Sequence, residues 1–285
     1  MIHRHLSGMD SNQPEEKRNE PAPLILPRKR KRRKNAEKKA AVYVGTRNVY
    51  HEMIPAAKSL LCNSDVDIIY FWIEDDAYPF EIPNEIHTVN VSEYRNLFAG
   101  GANYSTHWSY MCLLRAVYDQ LIPQHDIILS IDNDTIVVDD ISDLWNLDMT
   151  EYYYAGVPDR GVYRAPGLPL YINGGVMMIN LELQRANNIG EKMKNALNTR
   201  YYQYVTQDTM DEFCSGRMLE IPVRYNESIV TGMTDDPAVI HFVGVDKVGG
   251  GNAARRHFWN EYEALNWEDV AEIRKKRYGM GLTFR

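Results

Sequence analysis

Residues 127–145 read IILSIDNDTIVVDDISDLW. Ile127, Ile128, Leu129 and Ile131 form a short apolar run, the signature of a strand covered on both faces. The run passes directly into Asp132-Asn133-Asp134, two carboxylates one residue apart where a buried sheet would meet solvent. Charge beside a core is costly unless compensated, so carboxylates in this position take a cationic partner. In open α/β sheets ligands bind beyond the carboxyl ends of the strands, and the position itself therefore suggests a site. Two hard oxygen ligands suit Mg²⁺ or Mn²⁺, with the phosphates of a nucleotide completing the shell. An Asx-rich turn after a strand is the plainer reading of the same residues.

Upstream, Ala41–Val44 predicts a first strand that closes in the turn Gly45-Thr46-Arg47-Asn48. Met53, Ala56, Ala57, Leu60 and Leu61 give helical spacing over Val49–Leu61. VDIIYFWIEDD and IHTVNV supply a second and a third strand. Near-continuous apolar strands separated by a helix predict an α/β fold, a mostly parallel Rossmann-like sheet with helices on both faces. Neither a G-x-G-x-x-G fingerprint nor a P-loop is present. STHWSYMCLLRAVYDQLIP predicts a helix over Thr106–Ile122, with Arg115 on or beside its buried face. A guanidinium there requires an acceptor, either a ligand phosphate or carboxylate or a structural partner such as a core-edge Asp.

Downstream, DDISDLW predicts a short helical turn, and YYYAGVPD a strand ending at Pro158-Asp159. After a loop of about a dozen residues comes INGGVMMINLELQR. Its Asn173-Gly174-Gly175 brings backbone close to a ligand or simply makes a tight turn. A helix over Leu181–Asn198 is followed by another that Thr206 or Asp208 caps. MLEIPVRYN reads as an edge strand, demoted by Pro222. In AVIHFVGVDKVGGG a strand enters a glycine-rich loop, with His241 in the apolar part, where a core histidine is the ordinary reading. A last amphipathic helix over Arg256–Arg274 packs on the core or, alternatively, lies on a membrane surface.

With 285 residues, 44% of them hydrophobic, residues 41–285 can bury the core of one large domain. No apolar stretch approaches membrane-spanning length, and the start of the chain is too polar for a secretory signal. Cys62, Cys112 and Cys214 lie far apart without a C-x-x-C, which argues against a disulfide framework or a zinc site and fits a cytoplasmic protein. Residues 1–40 carry 12 Lys/Arg and 5 Asp/Glu and end in seven consecutive basic residues, Arg28–Lys34, while the remainder carries a net charge of −14. The first segment reads as a disordered, solvated tail; an anionic membrane surface, nucleic acid or an import receptor are its alternative contacts. The acidic body argues against nucleic acid as the main substrate.

Taken together these segments resemble glycosyltransferase family 8, the retaining family of glycogenin and the bacterial lipopolysaccharide galactosyltransferases, from about Ala41 to Lys247. Arg115, LSIDNDTIVVDDISDLW, YINGGVMMINLELQR and VIHFVGVDK are similar to family motifs in the same order and spacing. The resemblance implies a GT-A fold and a nucleotide-diphosphate sugar donor, in most relatives UDP-linked glucose or galactose. It also implies a divalent metal, usually Mn²⁺, with Asp132, Asp134 and His241 as its ligands. Lys247 and the Gly244 backbone would hold the diphosphate, and Thr46, Asn48 and Asn133 would join in nucleotide binding. Arg115 and Asp159 would contact the donor sugar; Asn173 and Gln207 would flank its anomeric carbon, with Asp208 close by. Negative charge builds on the leaving diphosphate as the sugar passes through an oxocarbenium-like state. Gln207 is a poor nucleophile, which favours front-face displacement over a covalent intermediate on Asp159 or Asp208.

Three departures stand out: Thr206-Gln207 replaces the usual Asp-Gln, Arg47 stands in the first-strand turn, and Lys247-Val248-Gly249 replaces Lys-Pro-Trp. A catalytically weak sugar-nucleotide-binding protein and a sugar nucleotidyltransferase are the competing readings. The sequence leaves the acceptor open among a carbohydrate, a lipid-linked glycan, a protein and a nucleic acid; a peripheral position at the inner face of a membrane is the alternative to a purely cytoplasmic one.

Overall fold

The computed structural model describes residues 38–162, 167–243 and 250–284. Gly244 and Lys247, and all but residues 38–40 of the expected N-terminal tail, therefore lie outside the described residues. Among the described residues nine strands form: β1 (Ala40–Val44), β2 (Ile68–Ile73), β3 (Ile86–Asn90), β4 (Ile127–Ile131), β5 (Thr135–Val137), β6 (Tyr154–Pro158), β7 (Ile172–Asn180), β8 (Met218–Glu220) and β9 (Val239–His241). The helices are α1 (Tyr50–Cys62), α2 (Tyr110–Leu114), α3 (Tyr118–Leu121), α4 (Leu181–Asn187), α5 (Ile189–Thr199), α6 (Val205–Cys214), α7 (Arg256–Ala264) and α8 (Trp267–Tyr278), with short 3₁₀ turns elsewhere along the chain.

Seven strands make one sheet in the order β3-β2-β1-β4-β7-β6-β8. The pairs β1–β2, β2–β3, β1–β4 and β6–β8 are parallel, and β7 runs against both β4 and β6. Six strands thus point one way and β7 the other. Every residue of β1 and of β7 is buried, as continuous apolar strands require. Helices α1, α7 and α8 pack on one face around Met53, Leu60, Phe71 and Trp259, and α2–α6 cover the other around Val42, Val117, Met177 and Met193. Between β1 and β4 the strand order reverses, so the ends of these two strands flank a crevice. Beside it, β5 and β9 form a separate antiparallel ribbon.

The sequence reading departs from the structure at several places. The first strand begins one residue early, at Ala40. The helix expected over Thr106–Ile122 begins only at Tyr110, capped by Ser109, and is broken by a 3₁₀ turn over Arg115–Val117. The one expected over Leu181–Asn198 is interrupted at Asn188, whose φ of 54° is left-handed, a conformation Asn tolerates better than most residues. The last helix is two helices, because Asn266 and Asp269 form a capping box that starts α8 afresh. Finally, Gly174 and Gly175 lie inside β7, so the tight-turn reading fails.

Candidate functional site

The backbone builds the site before any side chain enters it. The Asp132 N–H donates to the Gly175 carbonyl at 2.8 Å, extending the β4–β7 ladder one step past β4. Thr135 Oγ1 donates to the Asp132 carbonyl at 2.6 Å and closes the Asp-Asn-Asp turn. Thr135 then pairs with His241 in the β5–β9 ribbon, and the Phe242 N–H donates to the Asp134 carbonyl at 2.8 Å. This ribbon delivers a histidine more than a hundred residues away to the end of β4.

The result is a cluster of Asp132, Asp134 and His241 whose ligand atoms all lie within 4.8 Å of one another. His241 Nε2 is 3.3 Å from Asp134 Oδ1 and 3.7 Å from Asp132 Oδ2. Arg115 engages Asp132 Oδ1 and donates from Nη1 to the Gly174 carbonyl at 2.9 Å. One oxygen of Asp132 is thus taken, and Oδ2 is the one that faces His241. Burial alone would disfavour the charge on Arg115, but Asp132 more than reverses this and raises its pKa. Burial also disfavours the His241 imidazolium, and here Asp134, then Asp132, outweigh it and raise the pKa. Two carboxylates and one imidazole are a hard-oxygen set with a single borderline nitrogen, a donor set that fits a divalent ion such as Mn²⁺ or Mg²⁺.

Next to this cluster lies a second group of polar side chains. Asp159 Oδ2 accepts from Asn173 Nδ2 at 2.9 Å and from Gln207 Nε2 at 3.2 Å, and its Oδ1 accepts from the Gly161 N–H at 2.9 Å. Gln207 Oε1 accepts from the Gly174 N–H at 2.9 Å. Gln207 stands in the first turn of α6, entered through Val205 at φ 33°, a left-handed conformation that a β-branched residue rarely adopts. The cap residue of α6 is Tyr204, neither Thr206 nor Asp208. Asp208 instead accepts from Tyr171 Oη at 2.6 Å and from the Tyr204 N–H at 2.8 Å, which commits both oxygens to the start of the helix.

Asn133 and the turn after β1 come together as well, since a Cβ on Gly45 would stand 3.5 Å from Asn133 Nδ2. Thr46 is half-buried in that turn, whereas Asn48 is exposed. Arg47 binds outwards, with Nε 2.9 Å from Asp75 Oδ2. The sequence reading missed Asn226, Glu227 and Arg255. Asn226 is fully buried between Asn173 and His241. Arg255 Nε lies 2.9 Å from the buried Glu227 carboxylate and anchors the chain just after the glycine-rich loop. Nothing local in VRYNES, or around Arg255, marks these roles.

A family model described as glycosyl transferase family 8 matches residues 73–248. General stress protein A of Bacillus subtilis is 26% identical over 230 residues, covering 70% of this chain and 79% of that protein. Glycosyltransferase GlyA of Streptococcus pneumoniae is 25% identical over 264 residues, covering 85% of this chain but only 37% of its own length. Among solved structures, galactosyltransferase LgtC in complex with donor and acceptor sugar analogs superposes with a TM-score of 0.60 at 19% identity, over 80% of this chain and 98% of that one. Glycosyltransferase GlyE of Streptococcus pneumoniae gives a TM-score of 0.60 at 19% identity, over 85% of this chain and 63% of the other. At these identities the solved structures establish a shared fold, the mostly parallel GT-A sheet.

Proposed function

The chain belongs to glycosyltransferase family 8, and on that premise we propose that it transfers a hexose from a UDP-linked donor, with retention of anomeric configuration, to an acceptor glycan. Asp132, Asp134 and His241 would hold Mn²⁺, which supplies positive charge against the leaving diphosphate. The observation that carries this reading is the convergence of those three ligand atoms within 4.8 Å from two remote stretches of chain. Lys247 and the Gly244 backbone, six and three residues after His241, would complete the grip on the diphosphate. Arg115 orients Asp132, while its Nε, buried and without a hydrogen-bond partner among the described residues, remains an uncommitted donor.

Gln207, Asn173 and Asp159 would line the sugar end. Gln207 is locked at both ends of its amide, and Asp159 already accepts three hydrogen bonds. Asp208 is likewise held on both oxygens. Carboxylates stabilised in this way are weak nucleophiles, which supports front-face displacement, with the leaving phosphate oxygen accepting the proton of the attacking hydroxyl. Asp159 also forms part of the wall of a groove of about 540 Å³ lined by Arg160, Leu168, Tyr171 and Glu220. We assign the acceptor to this groove, whose mixed polar and apolar lining suits a carbohydrate. No helix among the described residues is long and apolar enough to cross a membrane.

The test is UDP release from a panel of UDP-sugars, with and without Mn²⁺, comparing the parent with Asp134→Ala. Release from one sugar that requires both the metal and Asp134 is the expected result. Metal-independent release, or full activity in Asp134→Ala, would overturn the site.

A further inference from the structure

His241 reaches its neighbours through both ring nitrogens. Nε2 faces Asp132 and Asp134, and Nδ1 lies 2.9 Å from Asn226 Oδ1. An imidazole and an amide can each face a partner in two ways, so the direction of this contact needs an anchor. Two anchors exist further along the network. The Gly175 backbone N–H, which can only donate, points at one end of the Asn173 amide at 2.9 Å, so that end is the carbonyl oxygen. The other end of Asn173 meets the Asp159 carboxylate at 2.9 Å and must be the NH₂ group.

With Asn173 fixed, the rest follows in one direction. Asn226 approaches Asn173 Oδ1 at 2.9 Å and must present its own NH₂ there. Its carbonyl oxygen is left facing His241, whose Nδ1 must carry the proton. In the neutral ring the Nε2 lone pair is then free for an ion beside Asp132 and Asp134, an ion whose positive charge would take the place of the Nε2 proton. Asn226 and His241 meet because the Asn226–Ser228 stretch runs alongside β9: the Glu227 N–H donates to the Val239 carbonyl, and the His241 N–H donates to the Glu227 carbonyl at 2.8 Å.

We propose that Asn226 is a positioning residue that holds His241 as the Nδ1–H tautomer, with Nε2 turned to the divalent metal, and ties it through Asn173 to Asp159 and Gln207. The inference rests on the metal-ligand role of His241 proposed above. Its content is that the metal end and the sugar end are oriented by one directional chain of hydrogen bonds, with Asn226 as the middle link.

Mn²⁺ binding to the full-length protein, read as loss of the free-ion EPR signal with and without UDP, separates the possibilities, with a circular-dichroism check on folding. Asn226→Ala should bind Mn²⁺ roughly 10- to 100-fold more weakly, the usual effect of removing a partner behind a ligating histidine. Asn226→Asp keeps an acceptor for Nδ1–H but turns an acceptor on Asn173 Oδ1. It should bind Mn²⁺ at least as tightly as the parent while kcat for sugar transfer falls. A merely structural role would weaken both properties in both variants. Parental Mn²⁺ affinity in Asn226→Ala, or weakened binding in Asn226→Asp, would overturn the relay. If Asn226→Ala does not fold, the isosteric Asp variant decides alone. A parent protein that binds no Mn²⁺ even with UDP would instead overturn the metal site itself, and the relay with it.

Discussion

Replacing Gly175 with alanine should disable the site through geometry alone. The backbone at Gly175 is ordinary strand, so the added methyl meets no conformational penalty. Its Cβ would stand 2.1 Å from His241 Cε1, 2.3 Å from Nδ1 and 3.0 Å from Asn173 Oδ1. Carbon atoms pack no closer than about 3.5 Å, so the ring would have to retreat by roughly 1.4 Å. It has little freedom to do so, being 5% exposed and held between Asn226 and the β5–β9 ribbon. The alternative is for β7 to move, which breaks the 2.8 Å bond from the Asp132 N–H to the Gly175 carbonyl and displaces the other side of the Asp132–Asp134–His241 cluster. Overpacking of this kind costs about 1–3 kcal/mol of stability. Misplacing a catalytic group by ~1 Å costs on the order of 100-fold in rate. Mn²⁺ titration, metal-dependent UDP release and thermal unfolding of Gly175→Ala would read all three consequences. Gly281→Ala is the control, since nothing lies within 4 Å of a Cβ there. Parental metal affinity and turnover in Gly175→Ala would refute the claim that His241 sits in a space only glycine leaves open.

Two further outcomes test the sheet face covered by α2–α6 and the groove beside Asp159. Asp119 is 3% exposed, and burial raises its pKa from 3.8 to about 6 despite the opposing Gly190 amide and Arg185. The fold therefore prefers the acid, and the parent loses stability as pH rises from about 4 through 6, by on the order of 3 kcal/mol from this group. Asp119→Asn should gain on the parent across that window in urea unfolding at pH 4.5 and 7.5; an advantage that does not grow with pH would show that the carboxylate is not strained by burial. Glu220→Ala should raise the acceptor KM by about five-fold, the worth of one hydrogen bond of ~1 kcal/mol, and leave the donor KM nearly unchanged. Equal effects on both would move the acceptor out of the groove beside Asp159.

The strands were legible because those covered on both faces are written as continuous apolar runs, which is how β1, β2 and β4 announce themselves. The helix breaks were not. Apolar spacing persists across Asn188 and across Leu265-Asn266, and these breaks are one- and two-residue events inside a pattern that spans them. Strand β5 is three residues long and hides in the tail of the motif before it. Asp132, Asp134, His241 and Arg115 could be picked out because each sits in a recognisable local motif. Asn226, Glu227 and Arg255 could not, since their roles depend on which strand the Asn226–Ser228 stretch happens to run beside.

The one reversed strand explains why so much converges on three residues. In a parallel pair the carboxyl ends of neighbouring strands lie at the same edge, and each strand begins at the far one. Because β7 runs against β4, it instead delivers its first residues, Asn173-Gly174-Gly175, to the edge where β4 ends. There Gly175 bonds Asp132 and leaves room for His241, Gly174 bonds Arg115 and Gln207, and Asn173 bonds Asp159 and Asn226. Consecutive residues of a strand point to opposite faces, so three in a row can touch both the Asp132–Asp134–His241 cluster and the Asp159–Gln207 group. The glycines are therefore required by what crosses them, and a residue with a side chain at Gly175 would displace His241 and the backbone that orients Asp132 together.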